Sequence, residues 1–336
     1  MTRRTFLRTG AAGIGTASLI NPLIAQPASH KLGIATTSYM GVWRPHDTLE
    51  FLEHCHSLGA AGIQASINGD IPKVHARAEQ LGMYIEAMVP MPKGSDTAAF
   101  EQSLKDAQAV GAVALRSACL GTRRYETFTS LEAWQQHVAE SHQSIEAALP
   151  LLEKYKIPLG LENHKDWTAD EFVTLLRRYS NEYLGVCLDF GNNISLLDNP
   201  LDAIEKLTPY TVSTHLKNMA VTPYPDGFLL SEVLLGDGYL DLPAIVARIR
   251  QARPNARFTL EMITRDPLKV PCLLDEYWVT FPDRNGLYLA RTLRFVEEHR
   301  SAKPLPRVSQ LTHEEALKVE EQNVIACLDY AQRAFL

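Results

Sequence analysis

Glu162, Asp189, His215 and Glu261 are of the types that bind a divalent cation or move a proton, and each sits near the end of a short β-rich run. The runs read LGLENH, GVCLDFGN, THLKNM and FTLEMI. Three carboxylates and one imidazole form an oxygen-rich donor set with one borderline nitrogen, which suits Mn2+ first, with Mg2+, Co2+ and Zn2+ also compatible. Gathered without a cation, the carboxylates would repel one another and cost roughly several kcal/mol to desolvate. The competing account is an ion-pair network in which Lys165, Lys217 and Arg265 neutralise the acids, with Arg177 or Arg178 able to hold Glu162 and Asp189. Four such donors at equivalent positions on consecutive runs favour one shared metal ion.

Segment 159–193 shows how such residues are positioned: two apolar runs, each ending in a carboxylate, flank an amphipathic helix of about four turns, the pattern of a βαβ unit. From Lys31 onward this alternation continues, with β-rich runs at 32–38, 62–67, 83–89, 112–117, 158–163, 184–190, 211–217 and 257–263. Eight runs, each followed by a helical pattern, predict an α/β fold, a (β/α)8 TIM barrel in a single domain over 31–300. A C-terminal extension, 301–336, ends in a helix. Helix starts are legible as capping boxes at Asp47 with Glu50, Thr168 with Glu171 and Thr312 with Glu315. The last helix carries Val324, Cys327, Leu328 and Ala331 toward the barrel or another subunit, with packing inside the chain preferred and a homo-oligomer left open.

Strand parity tests the barrel, because alternate residues face opposite sides of a sheet. Pro158, Gly160, Gly185, Cys187, Thr211, Ser213 and Thr259 share parity with the four polar residues and are small, Arg257 at the start of its run being the exception. Leu159, Leu161, Leu184, Val186, Leu188, Leu216, Phe258 and Leu260 take the opposite parity and are large and apolar. A narrow barrel needs inward residues that fit, and its outer face must lie under helices. The four polar residues therefore point inward, at the carboxyl ends of the last four barrel strands.

The order Glu, Asp, His, Glu on strands five to eight, in the segments quoted and with GDGYLDLPAIV after the seventh, resembles the xylose isomerase-like TIM barrels of the sugar phosphate isomerase/epimerase superfamily. By that resemblance Glu162, Asp189, His215 and Glu261 bind one divalent metal, and Glu162 and Glu261 are the catalytic pair. One removes the proton beside a substrate carbonyl and the other returns one, through a metal-stabilised enediolate. Ketose 3-epimerases of this superfamily carry a His three residues after the metal-binding Asp and an Arg six after the metal-binding His. This chain has Asn192 and Val221 there, so free ketohexoses are disfavoured. Lys217 could supply the missing positive charge. The histidine-rich trinuclear zinc site of the endonuclease IV branch has no counterpart at these strand ends.

His164, Lys217, Arg116, Asn192, Trp43 and Trp278 form the candidate substrate-binding set. His164 could also be a second acid or base, and Arg116 could bind hydroxyls or pair with Glu86. Tyr39 and Trp43, with Tyr277, Trp278 and Phe281, could stack on a sugar ring, although aromatics in long loops more often pack. The predicted function is an isomerase or epimerase acting on a small-molecule sugar or keto-sugar. The alternatives are a lyase or hydratase on 3-keto-glycosides and a non-catalytic sugar-binding barrel.

The first residues, TRRTFLR, followed by a Gly/Ala-rich apolar segment and then Pro27 and Ala28, have the order of an export signal of the twin-arginine type over 1–28. The protein is accordingly expected outside the cytoplasm, in the periplasm or an equivalent compartment, with no membrane contact in the mature form. The net charge of −6 becomes about −9 once Arg3, Arg4 and Arg8 leave, since no acid leaves with them. An acidic body offers nucleic acid no electrostatic footprint. Five widely spaced cysteines with no CxxC pair read as small core residues, one disulfide being the minor alternative. Changing Arg3 and Arg4 to Lys is expected to hold a C-terminally tagged chain in the cytoplasm, as read by fractionation; unchanged export would exclude the twin-arginine route.

Overall fold

The computed structural model describes residues 32–335. The expected signal segment lies outside them. Eight parallel strands close into a barrel: β1 (Gly33–Ala35), β2 (Gly62–Ala65), β3 (Tyr84–Met88), β4 (Ala114–Ser117), β5 (Leu159–Glu162), β6 (Leu184–Asp189), β7 (Thr211–Leu216) and, after two intervening strands, β10 (Thr259–Leu260). Each falls within a β-rich run of the sequence. Large residues on the outer parity, such as Leu161, Val186, Leu188 and Leu260, are fully buried in one core cluster with residues from the surrounding helices. Those helices are α1 (Thr48–Ser57), α2 (Ile71–Leu81), α3 (Ala98–Ala109), the short α4 (Arg124–Thr127), α5 (Leu131–Tyr155), α6 (Ala169–Tyr179), α7 (Pro200–Leu207) and α8 (Leu242–Ala252).

The helix after the seventh strand is delayed. The chain runs from β7 straight into a hairpin, β8 (Asn218–Tyr224) and β9 (Gly227–Val233), which β11 (Leu268–Val270) joins to make a three-stranded antiparallel sheet. A Pro225-Asp226-Gly227 turn closes the hairpin, and Gly227 sits at φ 149°, where a Cβ would press on Val270 O and Cys272 N. This sheet buries Val221, Phe228, Leu230 and Val270 against Tyr277 and Phe281. Tyr277 lies on α9 (Asp275–Trp278), which is followed by α10 (Gly286–Glu298). The simple strand-then-helix alternation is therefore broken twice, after β7 and after β10.

Thr168 and Thr312 open α6 and the last helix, α11 (His313–Ala334), with complete reciprocal capping boxes. At α1 the expectation is half met: Asp47 caps Glu50 N, but the Glu50 side chain turns back to His46 N. The last helix packs within the chain. Val324, Cys327 and Ala331 enter the barrel's core cluster. Fully buried Glu320 accepts the backbone N–H groups of Val42 (2.9 Å) and Trp43 (2.7 Å), Tyr39 OH donates to Glu321 (2.8 Å), and Asn323 donates to Thr264 (2.9 Å). So α11 fastens the loops that follow β1 and β10. All five cysteines are free. Among the described residues no helix is long and apolar enough to cross a membrane.

Glu320→Ala would strand two backbone donors beneath α11. We expect a loss of about 2 kcal/mol or more in denaturant unfolding; a change under about 0.5 kcal/mol would show that the helix is held by its apolar face alone.

Candidate metal centre

One donor atom from each of Glu162, Asp189, His215 and Glu261 lies within 4.8 Å of the other three, and all four residues are buried. His215 Nδ1 is central: it stands 3.5 Å from Glu162 Oε1, 3.7 Å from Asp189 Oδ2 and 3.3 Å from Glu261 Oε1. Strand register brings them together. Asp189 pairs with His215 across β6 and β7, His215 with Thr259 across β7 and β10, and Glu162 with Cys187, two residues below Asp189.

Each carboxylate is divided in use. Asp189 Oδ1 accepts the N–H groups of Gly191 (2.8 Å) and Asn192 (2.9 Å), and Asn163 clamps the Asp189 peptide from both sides. Asp189 Oδ2 is left facing inward, 2.7 Å from Lys217 Nζ but outside hydrogen-bond alignment. Glu261 gives Oε2 to Lys217, and Glu162 gives Oε2 to Arg116 while Asn192 Nδ2 steadies Oε1 at 3.1 Å. Burial opposes ionisation of Glu162, yet Arg116 and His215 outweigh it and hold its carboxyl well below the usual range. Glu261 is likewise lowered, His215 and Lys217 overcoming burial. The ion-pair account thus holds for the outer oxygens of Glu162 and Glu261 and for the inner Oδ2 of Asp189, and the inner oxygens of all three share a centre with an imidazole nitrogen.

The tautomer of His215 is fixed from below. Gln64, inward on β2, donates Nε2–H to Glu86 Oε2 (2.9 Å), so its Oε1 must face His215 Nε2, 2.6 Å away. Glu86 Oε2 also accepts from Thr259 (3.1 Å). Imidazole Nε2 therefore donates, and whenever the ring is neutral its Nδ1 lone pair faces the carboxylates. That Nδ1 is buried without a hydrogen-bond partner. Burial opposes a charged ring, but Cys187, Glu261 and Glu162 push the His215 pKa well above its ordinary value, so proton and cation compete for Nδ1. An orphaned ring nitrogen, an inward Asp189 oxygen and two inward glutamate oxygens fit a divalent ion.

The remaining candidates are placed as follows. Arg116 pairs with Glu162 and not with Glu86, which belongs to the Gln64 chain. Lys217 is committed to Asp189 and Glu261, and the close approach of its stem depends on Gly191, where a Cβ would meet Lys217 Cδ at 3.1 Å. Asn192 bridges Glu162 and Lys165. His164 has a buried, unpartnered Nδ1, and burial with Lys165 nearby pushes its pKa down to about 4, so it is neutral at pH 7. Val221 is buried in the mouth sheet. Trp43 packs with Tyr39, Phe51 and His54. Trp278 donates to Cys272 O and meets the edge of Tyr277. Tyr277 OH donates to Ser195 O, and Phe281 stacks on its ring. These aromatics are engaged in packing. Sequence reasoning missed Gln64, although a lone amide on the inner parity of an apolar strand was the signal for it.

Gln64→Leu would leave Nε2–H without an acceptor and the ring free to turn. We expect Mn2+ affinity, measured by competition with a chelating dye, to fall about ten- to a hundredfold. Unchanged affinity would show that Gln64 does not orient the ligand.

Comparison with known proteins gives the same architecture. A family profile described as a xylose isomerase-like TIM barrel matches residues 52–283. The 3-oxo-isoapionate decarboxylase of Pectobacterium atrosepticum is 26% identical over 276 residues, covering 76% of this chain and 95% of that protein. A xylose isomerase-like TIM barrel protein from Mycobacterium smegmatis, solved in complex with magnesium, superposes with a TM-score of 0.51 at 17% identity, over 78% of this chain and 97% of its own. A D-psicose 3-epimerase solved in the presence of D-fructose gives 0.53 at 15% identity, over 80% and 97%. At such identities the solved structures establish likeness of fold. With the profile spanning most of the barrel, this chain belongs to the xylose isomerase-like TIM barrel family.

Proposed function

We propose that the protein is a divalent-metal-dependent enzyme that acts on a keto-sugar by isomerisation or epimerisation, with Glu162, Asp189, His215 and Glu261 as ligands. The observation that carries this reading is the set of four inward donors, three carboxylate oxygens around an orphaned imidazole nitrogen. A bound cation would stabilise the negative charge that develops on the substrate's oxygens as the enediolate forms. Glu162 and Glu261 face each other across His215 and are the proton acceptor and donor. Arg116 and Lys217 keep them ionised and oriented. Half-buried His164, neutral and with an unpartnered Nδ1, would hydrogen-bond a substrate hydroxyl. Export by the twin-arginine signal would put this chemistry where glycosides and oligosaccharides outnumber phosphorylated sugars.

A second reading on the same site is a lyase. Cations held against both glutamates lower their basicity, which favours a reaction that needs no C–H cleavage first. The Pectobacterium relative is named a decarboxylase of a 3-oxo acid. In such a reaction the C–C bond breaks, carbon dioxide leaves, the electron pair passes to the carbonyl oxygen, and a side-chain acid then protonates the carbon. Elimination from a 3-keto-glycoside would follow the same charge flow after deprotonation.

Solvent-deuterium exchange into a panel of keto-sugars, 3-oxo sugar acids and 3-keto-glycosides, with and without Mn2+, separates the readings. Metal-dependent exchange into recovered sugar supports the first, release of carbon dioxide or aglycone the second, and tight sugar binding without turnover a non-catalytic barrel. Glu261→Gln should cut exchange at least about a hundredfold with sugar affinity largely kept; exchange at the wild-type rate would remove Glu261 from the mechanism.

A further inference from the structure

Lys165 is a buried cation beside the candidate metal centre with no ion-pair partner among the described residues. Among the described residues, Arg116 is paired with Glu162, Lys217 with Asp189 and Glu261, and Arg265 with Glu232. Lys165, 3% exposed, donates to Asn192 Oδ1 and forms no ion pair. Asp166 beside it does not serve: its Oδ1 accepts Trp167 N–H, and burial pushes its pKa up to about 7. An ammonium group buried this way is costly unless something pairs with it. Burial above all, with Arg265 and Lys217 adding to it against Asp189 and Glu232, brings its pKa down to about 8.

Counting charges gives the same answer. Four acids, Glu162, Asp189, Glu261 and Glu232, stand with four cations, Arg116, Lys217, Arg265 and the unpaired Lys165, so with a neutral His215 these charges sum to zero. A divalent cation would leave two positive charges in excess. An uncharged sugar would leave that excess in place at a nearly water-free site. Asn192 joins Lys165 to Glu162, so the ammonium stands one amide away from a metal ligand. Neutral His164 lies next to it in the chain with its free ring nitrogen.

We propose that the substrate is a keto sugar acid and that Lys165 receives its carboxylate. This rests on the metal-dependent reading above, and the test separates the two. D-gluconate and D-glucitol serve as probes, since neither has a carbonyl to react. Binding of Mn2+ to the full chain is measured first by calorimetry, then binding of each probe to the Mn2+-loaded protein. The wild type should prefer gluconate about ten- to a hundredfold, the contribution of a charge-assisted hydrogen bond. Lys165→Met and Lys165→Gln should lose that preference with glucitol affinity and Mn2+ content unchanged, and Lys165→Arg should keep it. Equal binding of the two probes by the loaded wild type, or a preference that survives in both neutral variants, would overturn the assignment of Lys165 while leaving the metal reading standing. Failure of the wild type to bind Mn2+ would overturn the metal reading and this inference together.

Discussion

Carboxylates brought together out of water repel one another and lose their hydration, so a pocket containing Glu162, Asp189 and Glu261 persists only if positive charge is supplied from every side. The barrel mouth is organised by that requirement. Arg116 comes from β4, Lys217 from the end of β7 and Lys165 from the loop after β5, while His215 enters from β7 with its pKa raised by the same acids. Each acid spends one oxygen on a protein cation or backbone amide and keeps another for the centre. The division lets the pocket hold together while keeping an inward donor set.

Positions of this accuracy need support beyond the strands. Below the centre, Gln64 and Glu86 fix the imidazole through two hydrogen bonds inside the barrel. Beside it, Asn163 and Asn192 tie the end of β6 to the end of β5. Above it, the β8–β9–β11 sheet and α11 hold the loops after β7, β10 and β1, the latter two through Asn323 and Glu320. Most of the buried polar groups here have partners, and of those that do not, His215 Nδ1 and Asp189 Oδ2 belong to the donor set where an ion would sit.

Much of this was legible before any coordinates. Period-two alternation in four short runs separates Leu161, Val186, Leu216 and Leu260, which lie under helices, from Glu162, Cys187, His215 and Glu261, which line the interior. The capping boxes at Thr168 and Thr312 are local hydrogen-bond patterns and held as read. The box at Asp47 failed in one half because His46 N competes for the Glu50 carboxylate. The mouth sheet was missed although Pro225-Asp226-Gly227 between two alternating runs is a hairpin signature, since the seventh run was expected to lead directly into a helix. Arg116 found Glu162 and not Glu86, a choice between two acids that spacing along the chain does not decide.

By itself, then, the sequence determined the barrel, the inward direction of four candidate donors and the family, because alternation, length and capping depend on neighbours within a few residues. Which oxygen meets which cation, which imidazole nitrogen is left bare, that Lys165 is buried without a carboxylate, and that α11 closes on its own barrel were decided only by tertiary structure. Those outcomes depend on distances between residues as far apart as Gln64 and His215, and in a closed barrel such distances are set by how all eight strands pair around the ring.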